Sequence, residues 1–203
     1  MYWKRGARSA TSAVTADVSG IIILMKLYTK EGDAGTSALF GSKKRMPKSR
    51  QVFEILGLAD EVNATLGCAL VTLKKSRERE VLASIQDDIF LIGAYIAGFK
   101  ISPKDKADWG LKVRNLENVI DEYSAKLPPL KAFIIPGGSE AASQIHLVRA
   151  KVRSLERSLV DYSGRQSFKF LLPYVNRLSD LLFVLARYVN MKLGIEDKIW
   201  RLK

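Results

Sequence analysis

Five stretches of this chain repeat apolar residues at three- and four-residue intervals, a period that admits little besides α-helix. The first runs from about Arg50 to Leu73, with Phe53, Leu56, Leu66 and Leu70 facing inward. The second spans about Glu78 to Phe99 and carries Val81, Ile85, Ile89, Ile92 and Ile96 as its stripe. The third covers about Asp108 to Ala125 and stops before Pro128-Pro129, where the ring and the missing N–H forbid continuation. The fourth begins after Pro136-Gly137-Gly138, with Ser139 as its N-cap. The fifth runs from about Phe170 to Leu193, and Pro173 suits its first turn. Strand signals are weak: Phe133-Ile134-Ile135 is too short to seed a sheet, and residues 26–48 read as loop punctuated by Gly32, Gly35 and Gly41. The predicted class is all-α, a five-helix bundle formed by a single domain over residues 26–203.

Charge bounds the partners. The chain carries a formal net charge of +12, which calls for an anionic partner without choosing between nucleic acid, membrane surface and nucleotide. Cys68 and His146 are each the single residue of their type, so neither a disulfide framework nor a Cys/His metal cluster within one chain is open to it. Lack of disulfides fits a reducing, cytoplasmic setting. No segment reads as the run of roughly 18 apolar residues that a membrane span needs. Residues 1–25 read as a disordered extension, or as sequence upstream of a true initiator at Met25; a signal peptide fits poorly, since the apolar Ile21–Met25 run is short and no cleavage pattern follows.

Within this frame, four groups of residues invite chemistry. Arg149, Arg153 and Arg157 stand four apart, which stacks guanidinium groups along one side of the fourth helix as a dock for a polyanion; a solvated basic face is the alternative. The loop Thr29-Lys30-Glu31-Gly32-Asp33-Ala34-Gly35-Thr36-Ser37 holds glycines, hydroxyls and a lysine, the ingredients of a phosphate cradle, though it is no Walker A motif. Lys43, Lys44, Arg45 and Lys48 add positive field behind it. Asp60 and Asn63 lie near the apolar stripe of the first helix, where a carboxylate wants a cation, and the arginines of the fourth helix are the natural candidates. Asn176, Arg177 and Asp180 interrupt the apolar fifth helix and must be satisfied by one another or by a ligand. Phe133, in the linker before the fourth helix, is open between a core plug and a functional aromatic.

Taken in order, YTKEGDAGTSALFG (28–41), GLADEVNATLG (57–67), IQDDIFLIGA (85–94), LPPLKAFIIPGGS (127–139), HLVRAKVRSLER (146–157) and YVNRLSDLLFVLAR (174–187) resemble the ATP:cob(I)alamin adenosyltransferases of the propanediol-utilisation and methylmalonyl-pathway type. The resemblance implies a five-helix bundle assembled as a homotrimer with active sites between subunits. It implies transfer of the 5′-deoxyadenosyl group of ATP to a corrinoid cobalt, with release of triphosphate and with Mg²⁺ carried on the ATP phosphates. By matching position it assigns Thr29, Lys30, Gly32, Asp33, Gly35, Thr36, Ser37 and Lys48 to the nucleotide loop, and Arg153, Glu156, Arg157 and Asn176 to the nucleotide as well. It pairs Asp60 with Arg149 across the subunit boundary and makes Phe133 the aromatic that displaces the lower axial ligand of the corrinoid. A corrinoid reductase and a B12-dependent enzyme become the expected protein partners, with neither nucleic acid nor membrane among them.

Three departures from the family pattern stand out: Phe40-Gly41-Ser42-Lys43-Lys44-Arg45 replaces a shorter, glycine-richer turn, Ala38 replaces a common hydroxyl residue, and Ser154 stands where some members carry arginine. The chemistry of the residues agrees with the family reading. Cobalt(I) is itself a nucleophile, so no Ser, Cys or His nucleophile is required, and positioning plus charge stabilisation remain for the protein. The rival readings are a helical nucleic-acid-binding protein, whose affinity would fall steeply with salt, and a nucleotide-binding regulatory module without catalysis.

Overall fold

A computed structural model describes residues 28, 30–163 and 168–202. The expectation for residues 1–25 lies outside the described residues. The chain divides into two units, Met1–Ser37 and Ala38–Lys203. Residues 30–35 of the first are a succession of turns. Two strands of three residues, β1 (Thr36–Ala38) and β2 (Arg45–Pro47), occur where the sequence reads as loop; at that length no alternation can announce a strand.

The second unit holds the helices. They are α1 (Gln51–Thr72), α2 (Arg77–Ile96), α3 (Pro103–Ser124), α4 (Glu140–Ser163) and α5 (Leu172–Lys192). Local chemistry sets most of their ends. The Ser76 hydroxyl accepts from the Arg79 N–H at 3.3 Å and starts α2, while the Arg79 guanidinium donates to the Leu70 and Leu73 carbonyls and closes α1. Helix α3 begins at Pro103, well ahead of the expected Asp108, because Ser102 and Asp105 form a reciprocal capping box around a first-turn proline. Helix α2 stops at Ile96, short of the expected Phe99, where Gly98 turns the chain at φ 113°. Ser139 caps α4 as expected, its hydroxyl accepting from the Ala142 N–H at 3.1 Å. The expected start of the fifth helix at Phe170 falls in a 3₁₀ turn, Lys169–Leu171, that leads into α5.

Helix α4 packs between α1 and α5, α2 lies on α1, and α3 lies on α5. Polar contacts close the ring between α2 and α3. Lys112 pairs with Asp88 at 2.5 Å, Arg77 with Glu122 at 2.5 Å, and the Tyr123 hydroxyl donates to Glu78 at 3.3 Å. The core runs the length of the bundle through Ile55, Leu66, Ile85, Ile92, Ile145, Leu155, Leu178 and Leu185, with Trp109 edge-on to Tyr174 at 4.8 Å. Each such side chain contributes about 1.5–3 kcal/mol of burial. On α1 the inward stripe is Val52, Ile55, Ala59, Val62, Leu66 and Ala69; Leu66 and Leu70 face the core as expected, whereas Phe53 and Leu56 flank it half-buried. By length and composition α1 could cross a membrane, a feature the sequence reading does not find. Its apolar side is spent on the bundle core, against α4 and α2.

Candidate functional site

In the first unit, the loop is built from consecutive tight turns: the Asp33 N–H donates to the Lys30 carbonyl at 3.3 Å and the Gly35 N–H to the Gly32 carbonyl at 3.1 Å. Gly35 takes φ 70°, open to glycine without cost, and Lys30 takes φ 61°, which costs a side-chain-bearing residue roughly 1–3 kcal/mol. Loops of successive turns can form anion-binding concavities; here the Asp33 and Gly35 N–H groups are engaged within the turns themselves. Lys30, Asp33 and Gly35 are exposed; Gly32, Thr36 and Ser37 are half-buried. Thr29 lies outside the described residues. Lys48, in the second unit, is exposed.

On α4 the arginines share a spacing but not an environment. Four residues exceed a helical turn, so each step rotates the position by about 40° around the axis. Arg149 is half-buried: its guanidinium carbon lies 6.0 Å from the centre of the Phe183 ring, and its Nε is buried without a hydrogen-bond partner among the described residues. Burial, and then the charge of Arg153, push its pKa below the ordinary arginine value. Arg153 and Arg157 are exposed, and Arg157 donates to the Ser154 hydroxyl at 3.1 Å. One turn before Arg149, His146 is buried, its Nδ1 also unpartnered, its ring centre 6.2 Å from that of Phe183. Burial and the neighbouring Arg149 charge lower its pKa to about 4, against an opposing pull from Asp197, so the imidazole is neutral at pH 7.

Asn176 is spoken for on both sides. It donates to Glu156 at 2.7 Å and accepts from Arg177 at 2.7 Å. Arg177 in turn pairs with Glu117 at 3.1 Å and Asp180 at 3.4 Å. The polar interruption of α5 is therefore a connected network that fixes the Asn176 amide against α4. Asp60 is exposed, and among the described residues no ion pair joins it to an arginine of α4; the ion pair found between those helices is Glu61 with Lys151 at 2.5 Å. Asn63 is buried, and its Oδ1 has no hydrogen-bond partner among the described residues.

Phe133 is not a core plug, since 80% of it is exposed. Its backbone is nevertheless fixed. Its carbonyl accepts from the Trp200 N–H at 2.8 Å, the Ile135 N–H donates to the Lys198 carbonyl at 2.8 Å, and Ile134 bridges Ile199 in antiparallel fashion. Sequence reasoning missed the residues that anchor this linker: Arg187, Asn190, Gly138 and Asp197. The signal was present in Leu185-Ala186-Arg187-Tyr188-Val189-Asn190, where two polar residues three apart interrupt an apolar helix. The Asn190 carboxamide accepts from the Ser139 N–H and hydroxyl, each at 2.9 Å, and donates to the Gly137 carbonyl at 2.9 Å.

A family model described as cobalamin adenosyltransferase matches residues 27–189. The mouse corrinoid adenosyltransferase MMAB is 40% identical over 184 residues, covering 87% of this chain and 77% of that protein. The corrinoid adenosyltransferase PduO of Citrobacter freundii is 39% identical over 166 residues, 80% of this chain but 49% of its own length. Among solved structures, a phenylalanine-to-alanine variant of the PduO-type ATP:corrinoid adenosyltransferase from Lactobacillus reuteri, complexed with cobalamin and ATP, superposes with a TM-score of 0.77 at 29% identity, over 87% of this chain and 100% of that one.

Proposed function

Because this chain belongs to the cobalamin adenosyltransferase family, we propose that it transfers the 5′-deoxyadenosyl group of ATP to the cobalt of a reduced corrinoid, cob(I)alamin, to make adenosylcobalamin and triphosphate. The match itself carries this reading, because residues 27–189 take in the glycine loop, Asp60, Phe133, the arginine helix and Asn176. In the reaction the cobalt(I) electron pair attacks C5′ of ATP. A cobalt–carbon bond forms, the C5′–oxygen bond breaks, and triphosphate leaves with its electrons.

Each group of residues has a task in that step. The turn amides of residues 30–37, with Lys30, Gly32, Asp33, Gly35, Thr36 and Ser37, suit the phosphates, and Thr29 and Lys48 join them by family position. Arg153 and Arg157, exposed and permanently charged, stabilise negative charge on the departing triphosphate. Mg²⁺ would travel with the nucleotide on its phosphate oxygens and add to that charge. Glu156 holds Asn176, which orients the nucleoside so that C5′ lies in line with the cobalt. Phe133 presents an exposed ring that can cover the lower cobalt face and keep water and axial ligands away, easing reduction to cobalt(I).

Asp60 and Arg149 complete the site from two subunits of a homotrimer. The half-buried Arg149 and the exposed Asp60, neither of which forms an ion pair among the described residues, support this pairing, since a partly desolvated guanidinium seeks a carboxylate. The chemistry requires a corrinoid reductase before it and a B12-dependent enzyme after it. A cytoplasmic setting suits the free, exposed Cys68.

The test is anaerobic incubation of the protein with ATP, Mg²⁺ and chemically reduced cobalamin. A photolabile alkylcobalamin spectrum and triphosphate in equal amounts are expected. Binding of both substrates without either product would reduce the chain to a nucleotide-binding module.

A further inference from the structure

We propose that Arg187 and Asp197 form a clamp that sets the position of Phe133, which makes both of them positioning residues for the reaction; this rests on the reading of Phe133 as the cap of the lower cobalt face. An exposed ring gets no placement from core packing, so Phe133 must take its position from its main chain. That main chain is held by the C-terminal segment, through the Trp200 N–H on the Phe133 carbonyl and the Ile135 N–H on the Lys198 carbonyl. The C-terminal segment is held in turn by Arg187. The Arg187 Nε donates to Asp197 at 2.7 Å, while its Nη2 donates to the carbonyl of Pro128, at the base of the linker, at 2.9 Å. One guanidinium therefore ties the start of the linker to the strand that pairs with its middle. One turn further along α5, Asn190 fixes the far end at Gly137 and Ser139.

The clamp is costly in the way a positioning device is. The Arg187 and Asp197 side chains are 8% and 18% exposed, and a buried ion pair is often no more stabilising than apolar residues of the same volume. What a forked guanidinium supplies is a single geometry, with each N–H directed at one acceptor.

Removing either partner leaves the other charge without its counter-ion, so the test removes Asp197, because Arg187 then still keeps the Pro128 carbonyl as an acceptor. Asp197→Ala is expected to fold and to bind ATP with an unchanged KM. Its amide protons at Ile135 and Trp200 should lose protection from hydrogen exchange. Turnover from cobalt(II) corrinoid plus reductant should fall about tenfold or more, while turnover from pre-reduced cobalt(I) corrinoid should stay within about twofold. Asp197→Glu should recover part of the loss, and adding Asp197→Ala to Phe133→Ala should cost nothing further. Retained protection at both amides, or equal losses in the two turnover assays, would overturn the clamp. A Phe133→Ala variant that lowers both turnovers alike sinks the cap reading instead, and the two failures are separable because amide protection reports the clamp without any turnover.

Discussion

Arg153 and His146 lie two turns apart on α4, only about 20° apart around its axis, and still differ in burial. Arg153 is exposed, so Arg153→Ala should leave the melting temperature within error of the parent while lowering kcat/KM for ATP by about 2–4 kcal/mol, the loss of a charged contact to a leaving group. Steady-state kinetics at saturating reduced corrinoid checks this, and a parental kcat/KM would return the residue to a solvated basic face. His146 is buried and neutral, its pKa lowered from 6.5 to about 4. Below pH 6.5 the unfolded chain takes up a proton that the folded chain refuses until about pH 4. The contribution of this residue to stability is therefore complete above pH 6.5 and falls as the pH drops towards 4, by on the order of 2–3 kcal/mol. Urea unfolding of parent and His146→Leu at pH 7 and pH 4.5 reads it out: the variant should lose less stability across that interval, and identical losses would refute it.

At the scale of elements, the linker between α3 and α4 is the part most tightly specified for its length. Gly138 takes φ 103°, and a Cβ built there would collide with the Asn190 carboxamide. Both faults act in Gly138→Ala: backbone strain of roughly 1–3 kcal/mol and a displaced Asn190 that no longer holds Ser139, the α4 cap, worth about 1 kcal/mol. Chemical denaturation should show a loss of about 2–4 kcal/mol with an unchanged m-value. A neutral result would mean that the linker tolerates a shift and does not depend on Asn190. Because the same linker carries Phe133, turnover from cobalt(II) corrinoid should suffer more in this variant than ATP binding does.

For the whole molecule, the proposed trimer is what remains to be tested. Arg149 is half-buried and Asp60 exposed, neither in an ion pair among the described residues, and Val71 and Phe90 stand 80% and 71% exposed on α1 and α2. Sedimentation equilibrium is expected to report three chains. Asp60→Ala and Arg149→Ala should each impair corrinoid turnover, and the double variant should lose less than the sum, because either change alone already breaks the pair. Strictly additive losses would show that the two side chains never meet.

Periodicity alone placed all five helices, since a 3.6-residue repeat over twenty positions has one cheap solution in water, and local chemistry at Ser139 and Pro173 marked two of their starts. The capping box at Ser102 and Asp105 was equally local and went unread. The candidate residues of the site were legible as a pattern of types in order: the glycine loop, the arginines of α4, and the polar break in α5. What only the tertiary structure decided is which partner each of them has. Arginines four apart looked equivalent until packing buried Arg149 against Phe183 and left Arg153 and Arg157 outside. Phe133, as a linker aromatic, read by itself more readily as a core plug until its exposure was known, and Arg187 and Asn190 went unread until their acceptors, on Pro128, Gly137 and Asp197, came into view. The reason is physical: helix formation is written in neighbours a few positions away, whereas burial and hydrogen-bond partnership arise between residues as far as 114 positions apart, where no sequence period reaches.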